Sequence, residues 1–328
     1  MACTIVICST EDDVHAARVA ELLKARHGKS AFIFDTSTFP GAVSLAARFD
    51  GRGIESYLRT SERRIDLDDV AAFWWRRPQP MGVDARIADA QARDFAFQEC
   101  ISGLLGILEC CDALWVNVIQ NDVAAEYKPF QLKVARNHGF RIPETLITNL
   151  PDELMDFWHR HQRSVVYKAF NQRAVAWRPT RLLREEDLAL LGNLRHAPVI
   201  FQPLVTGTLD IRVTVVGDAI FASQFDIERM DEIDHRMRLD DISCRPHRLP
   251  SDVEEKVRAF MSELGLEYGG VDFRVTPDGE YVFFEVNTAG EFMYLESRTG
   301  QPIAEAMAAH LAGGAPARPA RTMAAAVT

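Results

Sequence analysis

GGVDFRVTPDGEYVFFEVN, residues 269–287, decides the fold. Two runs of β-branched and aromatic residues flank Pro277-Asp278-Gly279, a turn tripeptide, so the stretch reads as a hairpin. Side chains alternate along a strand. Glu285 and Asn287 therefore share one face, while Phe284 and Val286 point to the other. Pairing across the turn brings Asp272 to the same face as Glu285 and Asn287. An unpaired carboxylate in a buried strand is costly, and two carboxylates together repel unless a cation lies between them. Mg²⁺ takes a few protein oxygens and completes its shell elsewhere. Asp272, Glu285 and Asn287 are thus candidate metal ligands. Spacing alone fits two solvated acids on an exposed sheet face equally well.

Outward from the hairpin, SDVEEKVRAFMSELG (251–265) has the pattern of a capped amphipathic helix. DIRVTVVGDAIFASQFD (210–226) reads as two strands around a Gly217-Asp218 turn. PVIFQPLV (198–205), SVVYKAF (164–170) and ETLIT (144–148) are strand patterns, and a helix is expected from Pro129 to Gly139. At the N-terminus, the strand TIVICST (4–10) leads to a helix capped by Thr10, then to the strand AFIFDTS. This is a βαβ-like opening without the Gly-rich dinucleotide fingerprint. Short strands are expected over 45–70, a strand over AAFWWRRP (71–78), a helical pattern over 84–111, and a last helix over PIAEAMAAHLAG. The fold class is an α/β N-terminal lobe over 1–120 plus two α+β lobes over 121–205 and 206–313. A disordered tail is expected over 314–328.

Bulk properties exclude several classes. A chain of 328 residues suits two or three packed lobes. No apolar run approaches a membrane span, and MACTIVICST lacks a signal-peptide pattern. A cytoplasmic protein is expected. The 6 cysteines form no CxxC pair or zinc spacing and read as reduced thiols. A net charge of −10 argues against nucleic acid or anionic membrane as a partner. Any anionic ligand must then meet local cations. Lys168 sits inside the apolar run VVYKAF, where an ammonium needs an anion, although an edge-strand Lys that discourages aggregation fits as well. Lys128 precedes a helix start, a place that favours anions, and Arg212 lies within DIRVTVV.

Lys128, Lys168, the strand VIFQPLV, then DIRVTVVG, VDFRV and FFEVN follow in the order of an ATP-grasp ligase, which the chain resembles. WWRRP, KPFQLKVARNHGFRIPETLITN, FQPLVTGTLDIRVTVVG, LGLEYGGVDFRVTPDGEYVFFEVNTAGEFMYLE and TGQPIAEAMAAHL further resemble the ligases that mature graspetides, the microviridin-type peptides. The resemblance runs from about Phe73 to Leu311 and is most specific in the C-terminal third. It implies ATP and Mg²⁺ as cofactors. Lys128 and Lys168 would hold the phosphates, and Ile200, Phe201, Gln202 and Leu204 would form the hinge along the adenine. Arg212 would face the γ-phosphate and the acyl phosphate. Asp272, Glu285 and Asn287 would hold the metal, and the segment 171–180 would cover the phosphates. Pro203 departs from relatives that carry an acid after the hinge Gln, so Gln202 or Asp210 is the expected substitute. The stretch IDHRMRLDD (233–241) has His235 where the family has an aromatic residue.

The same resemblance implies the substrate: Asp or Glu side chains of a ribosomal precursor peptide with a leader and an acidic core. They would be joined to Ser or Thr hydroxyls as macrolactones, or to Lys amines as macrolactams, and a homodimer is implied. Arg173, Arg178, Arg181 and Arg184 form one cationic group, and Arg229, Arg236 and Arg238 a second. Either would meet acidic side chains, with solvated Arg faces the alternative. Arg76 of WWRRP is a further candidate substrate contact, with structural support the alternative. Rival readings are another ATP-grasp ligase, adding glutamate or joining amino acids, and a non-catalytic nucleotide-binding regulator.

Overall fold

In the first strand, β1 (Thr4–Cys8), Ile5 and Ile7 face one side and Val6 and Cys8 the other, and all four are fully buried. A strand buried on both faces belongs to a parallel sheet covered by other layers. The computed structural model describes residues 4–51, 53–170, 179–227 and 242–314. It contains that sheet. α1 (Val14–His27), β2 (Ser30–Phe34), β3 (Ser44–Asp50), β4 (Gly53–Arg59), β5 (Arg64–Asp66), β6 (Val70–Trp75), α2 (Ala90–Leu108) and β7 (Leu114–Val116) follow β1. The parallel order is β2-β1-β6-β7, and β3-β4-β5 form a separate antiparallel sheet. Asp13, not Thr10, caps α1, accepting the His15 N–H at 3.0 Å, and Gly28 ends the helix at φ 60°.

The next segment holds α3 (Ile119–Glu126), α4 (Lys128–Asn137), β8 (Leu146–Thr148), α5 (Pro151–Arg160), β9 (Val165–Lys168), β10 (Arg181–Leu182) and β11 (Val199–Pro203). Pro129 lies in the first turn of α4, and Gly139 follows it at φ 73°. The sequence reading passed over α5, although Pro151 followed by Asp152 and Glu153 is a helix-start signal. Leu154, Phe157 and Trp158 of α5 pack on Val165 and Phe201 of an antiparallel sheet ordered β10-β9-β11-β8.

The last segment holds β12 (Leu209–Val216), β13 (Ala219–Asp226), β14 (Cys244–His247), α6 (Ser251–Leu264), β15 (Tyr268–Val275), β16 (Tyr281–Asn287), α7 (Met293–Thr299) and α8 (Ile303–Gly313). Its antiparallel sheet is ordered β14-β13-β12-β15-β16. Val253, Val257, Phe260 and Met261 of α6, with Val134 of α4, cover one face through Val213, Val271, Phe283 and Val286. The other face carries Val216, Tyr268 and Phe225 into a second core with α7 and α8 at one end, and polar side chains such as Arg212 and Asp272 beside them. α8, which the sequence places in the third lobe, contributes Ile303, Met307 and Leu311 to the core beside Ile5, Ile7 and Trp74 of the first sheet. The chain's last helix thus closes the layer its first strand opens. Among the described residues no helix is long and apolar enough to cross a membrane. Arg173, Arg178, Arg229, Arg236 and Arg238, most of the covering segment 171–180, the stretch 233–241, and the tail from 315 lie outside the described residues.

Candidate active site

Register sets the site. Across β12, β15 and β16, Arg212 is level with Asp272, and Asp272 with Glu285. One row along, Asp210 is level with Arg274, and on the other side Gly270 with Asn287. A β-bulge between Asp272 and Phe273 on β15 leaves Phe284 as an extra residue on β16. The expected alternation fails there. Phe283 and Val286 enter the core, whereas Phe284, Glu285 and Asn287 all line one cavity. The sequence reading put Phe284 on the core face because a bulge cannot be read from period-two spacing.

Each carboxylate has its own cation. Arg212 Nη1 donates to Asp272 Oδ2 at 2.6 Å, and Lys128 Nζ lies 2.7 Å from Glu285 Oε2. The cost of burying Glu285 is therefore offset by Lys128, a residue the sequence assigned only to phosphates. Arg274 binds Asp210 through both carboxylate oxygens, at 2.7 and 2.8 Å. Burial works against the Arg212 charge, but Asp272 more than compensates and raises its pKa. Burial pushes the neighbouring Tyr294 up to about 12.

Two glycines make room for Arg212. A Cβ on Gly270 would lie 2.5 Å from its guanidinium carbon, and one on Gly290 2.5 Å from Nη2. Gly270→Ala should therefore spare the fold and displace the guanidinium. Misplacing a catalytic group by about 1 Å costs on the order of 100-fold in rate. A loss of that size in ligation, with an unchanged melting temperature, is the expected result.

The cavity of ≈ 1150 Å³ is lined by Val166 and Lys168 of β9, by Gln202–Val205, by the polar face of β12, β15 and β16, and by Arg77–Met81 with α2. Lys168 Nζ stands 5.9 Å from the Phe284 ring centre. Ile200 and Phe201 do not line the cavity; they are 1% and 3% exposed, on a stretch of β11 paired with both β8 and β9. Beyond Gln202, Pro203 has no N–H, and Leu204 N–H is donated to Ser164 O at 2.9 Å. The hinge positions 203 and 204 thus leave only carbonyls. Gln202 Nε2 donates to Thr145 Oγ1 at 2.8 Å. Among the described residues no three His, Cys, Asp or Glu side chains form a metal cluster. The donor set is two acids and one amide, with Asn287 Oδ1 accepting the Ala289 N–H at 3.0 Å. Two opposed carboxylates, flanking cations and a cavity of this volume suit a divalent metal carrying phosphates.

Arg76 is not at the cavity. It is 1% exposed and donates to Ala289 O and to Gly290 O, the latter at 3.0 Å. Its neighbour Arg77 lines the cavity instead, 3.0 Å from Glu291. Both follow the end of β6, and burial shows which one is inside. Arg181 is exposed on β10 away from the cavity, and Arg184 pairs with Glu186 at 3.5 Å in solvent. Behind Arg76, Asp13 accepts from Ser9 Oγ at 2.6 Å and from His15 Nδ1 at 3.0 Å. Burial alone would raise the Asp13 pKa; hydrogen bonds from His15 and Ser9 and the charge of Arg76 outweigh it and hold the carboxyl below the usual range. A lowered folded pKa gives stability that is fully present above the unfolded value, about 3.9, and is lost as pH falls below it. Stability should therefore fall more steeply between about pH 5 and 3 in the wild type than in Asp13→Asn, as urea melts would read. Parallel curves would remove this role.

The MvdD pre-ATP grasp domain family matches residues 4–123. The macrocyclase MdnC of Microcystis aeruginosa MRC, solved bound with the precursor peptide MdnA, is 30% identical, with a TM-score of 0.84 over 94% of this chain and 98% of that one. A RiPP-associated ATP-grasp ligase of Chryseobacterium gregarium, in complex with ADP and a leader and core peptide, is 29% identical, with a TM-score of 0.85 over 98% and 100%. The ATP-grasp ligase PsnB, complexed with a phosphomimetic variant of a minimal precursor, Mg and ADP, is 25% identical, with a TM-score of 0.74 over 95% and 98%. Among curated proteins none matches. With its parallel N-terminal sheet, its two antiparallel sheets around one charged cavity, and this likeness along nearly its whole length, the chain belongs to the ATP-grasp ligases of ribosomal peptide macrocyclisation.

Proposed function

We propose that this chain activates Asp or Glu side-chain carboxylates of a ribosomally made precursor peptide and joins them to Ser or Thr hydroxyls, or to Lys amines, to close rings. The carrying observation is the row Arg212, Asp272, Glu285 on the floor of a cavity that Lys168 and Arg77 border from other parts of the fold. Asp272, Glu285 and Asn287 would hold Mg²⁺, whose chemistry is to bridge phosphate oxygens and neutralise charge on the transferring phosphoryl group. Lys168 and Lys128 would meet phosphates, the latter by shifting from Glu285. Arg212, buried and held in place by Asp272, would stabilise charge that develops on the transferring group and then on the acyl phosphate. The apolar wall of Pro78, Pro80, Met81, Phe97 and Leu105 would limit competition by water for that acyl phosphate. Gln202 and the Asp210–Arg274 pair would border the nucleoside.

The precursor is proposed to carry a leader and an acidic core, drawn to a cavity rimmed by cations on a chain of net charge −10. A cytoplasmic homodimer is part of the same proposal, resting on the resemblance, and sedimentation would check the dimer. The main experiment mixes the chain and ATP with the short Thr- and Asp-rich peptide expected from a neighbouring reading frame. Each ring formed removes one water from the peptide mass, with one ADP released. Mild base opens esters and leaves amides. ATP-independent mass loss, or ADP release without it, would overturn the reading.

A further inference from the structure

Closing an ester needs a group that takes the proton of the attacking hydroxyl. Four carboxylates line the cavity among the described residues: Asp210, Asp272, Glu285 and Glu291. Asp210, Asp272 and Glu285 sit in the sheet, each held by a largely buried cation and committed to the nucleotide and metal side. No described histidine or cysteine lines the cavity, and Tyr294 is pushed away from neutral titration by its burial. Glu291 differs. Its side chain is 53% exposed, and its ion-pair partner Arg77 comes from the chain that follows β6.

The backbone on both sides of Glu291 is fastened by buried side chains. Arg76 donates to Ala289 O and Gly290 O, and Tyr268 Oη donates to Gly290 O at 2.6 Å. On the other side His15 Nε2 accepts the N–H groups of Phe292 at 3.1 Å and Met293 at 3.3 Å. That acceptor role leaves the His15 proton on Nδ1, facing Asp13. Gly290 also lies directly against the Arg212 guanidinium. This buried polar network holds one turn, with an accessible glutamate at its centre, next to Arg212. Functional groups need such a supporting shell.

We infer that Glu291 is the general base of ring closure. The conclusion rests on the ligase reading above. The hydroxyl oxygen bonds to the acyl carbon, and its proton passes to a Glu291 carboxylate oxygen. The bond from the acyl carbon to the phosphate oxygen breaks, and phosphate leaves with the electron pair. Arg77 orients the carboxylate.

Hydroxylamine, an amine that attacks acyl phosphates without a protein base, separates activation from closure. With the precursor peptide that loses water in the preceding experiment, added hydroxylamine gives hydroxamate in competition with rings. Glu291→Gln should raise the ratio of hydroxamate to ring product by at least about 100-fold, the lower end of general-base effects. Glu291→Asp, which keeps the carboxylate, should give an intermediate ratio, and it serves alone if the Gln variant does not fold. A ratio within about threefold of wild type in the folded variants, whatever the total yield, would mean that Glu291 serves binding or folding and would overturn the inference. Wild-type protein that forms neither hydroxamate nor rings would instead overturn the ligase reading, and this base with it.

Discussion

Glu285→Gln combined with Asn287→Ala is expected to lower ring formation by more than about 1000-fold while the fold survives. Both side chains line the cavity on β16, and Glu285 is level with Asp272 across the hairpin. Together they supply two of the three oxygens proposed to hold the metal. A thousandfold loss corresponds to about 4 kcal/mol of transition-state stabilisation, within what a metal at a transferring phosphoryl group supplies. The structural cost is small by comparison. Glu285 pairs with Lys128, and that lysine side chain, 16% exposed, can turn toward water. The core partners of β16, Phe283 and Val286, are untouched. Mass spectrometry of the peptide reads activity, and a thermal melt reads the fold. Wild-type turnover in the double variant would remove the metal reading.

Arg274→Met carries the largest expected stability effect. Arg274 and Asp210 have side chains 2% and 6% exposed, joined by two hydrogen bonds, and Arg274 Nη1 also donates to Val205 O at 3.0 Å. Taking away the guanidinium leaves a buried carboxylate without its bidentate partner, a change that costs about 3–5 kcal/mol in comparable pairs. The double variant Arg274→Met with Asp210→Leu should recover much of that loss, because removing both charges removes the desolvation penalty as well. Urea melts of the three variants form the cycle. A single-variant loss below about 1 kcal/mol would show that Asp210 finds other compensation.

Sequence carried the fold well where pattern and punctuation agree. Pro129 and Gly139 bound α4, the Pro277-Asp278-Gly279 turn joins β15 to β16, and the alternation of Ile5 and Ile7 against Val6 and Cys8 fits a two-faced sheet. Asp272, Glu285, Asn287 and Arg212 converge because they sit on paired strands, where register is itself a sequence property, whereas Lys168 reaches the same cavity from β9 of another sheet. What escaped depends on long-range packing. α8 reads as a local helix, yet its core partners are in β1 and β6. The choice between Arg76 and Arg77 turns on which side of the chain leaving β6 meets the turn at Ala289 and Gly290, more than two hundred residues later. Lys128 reads as a helix-start cation, and its pairing with Glu285 follows only once α4 lies beside β16. The resemblance places Ile200 and Phe201 in the hinge; the structure pairs both with β8 on one side and β9 on the other, a neighbourhood that local pattern does not reveal.

The bulge at Phe284 has a consequence for how this enzyme tolerates change in length. With its extra residue, β16 sends Phe283 inward, then Phe284 and Glu285 both toward the cleft, and Val286 inward again. Deleting Phe284 would take its ring out of the cleft and restore strict alternation. Phe273 would still face Phe283 and Asp272 would still face Glu285, so the count from the 277–279 turn and the count from Asn287 would agree. The extra residue is a surplus of length that the acids do not need, and it sets an aromatic ring 5.9 Å from the Lys168 ammonium.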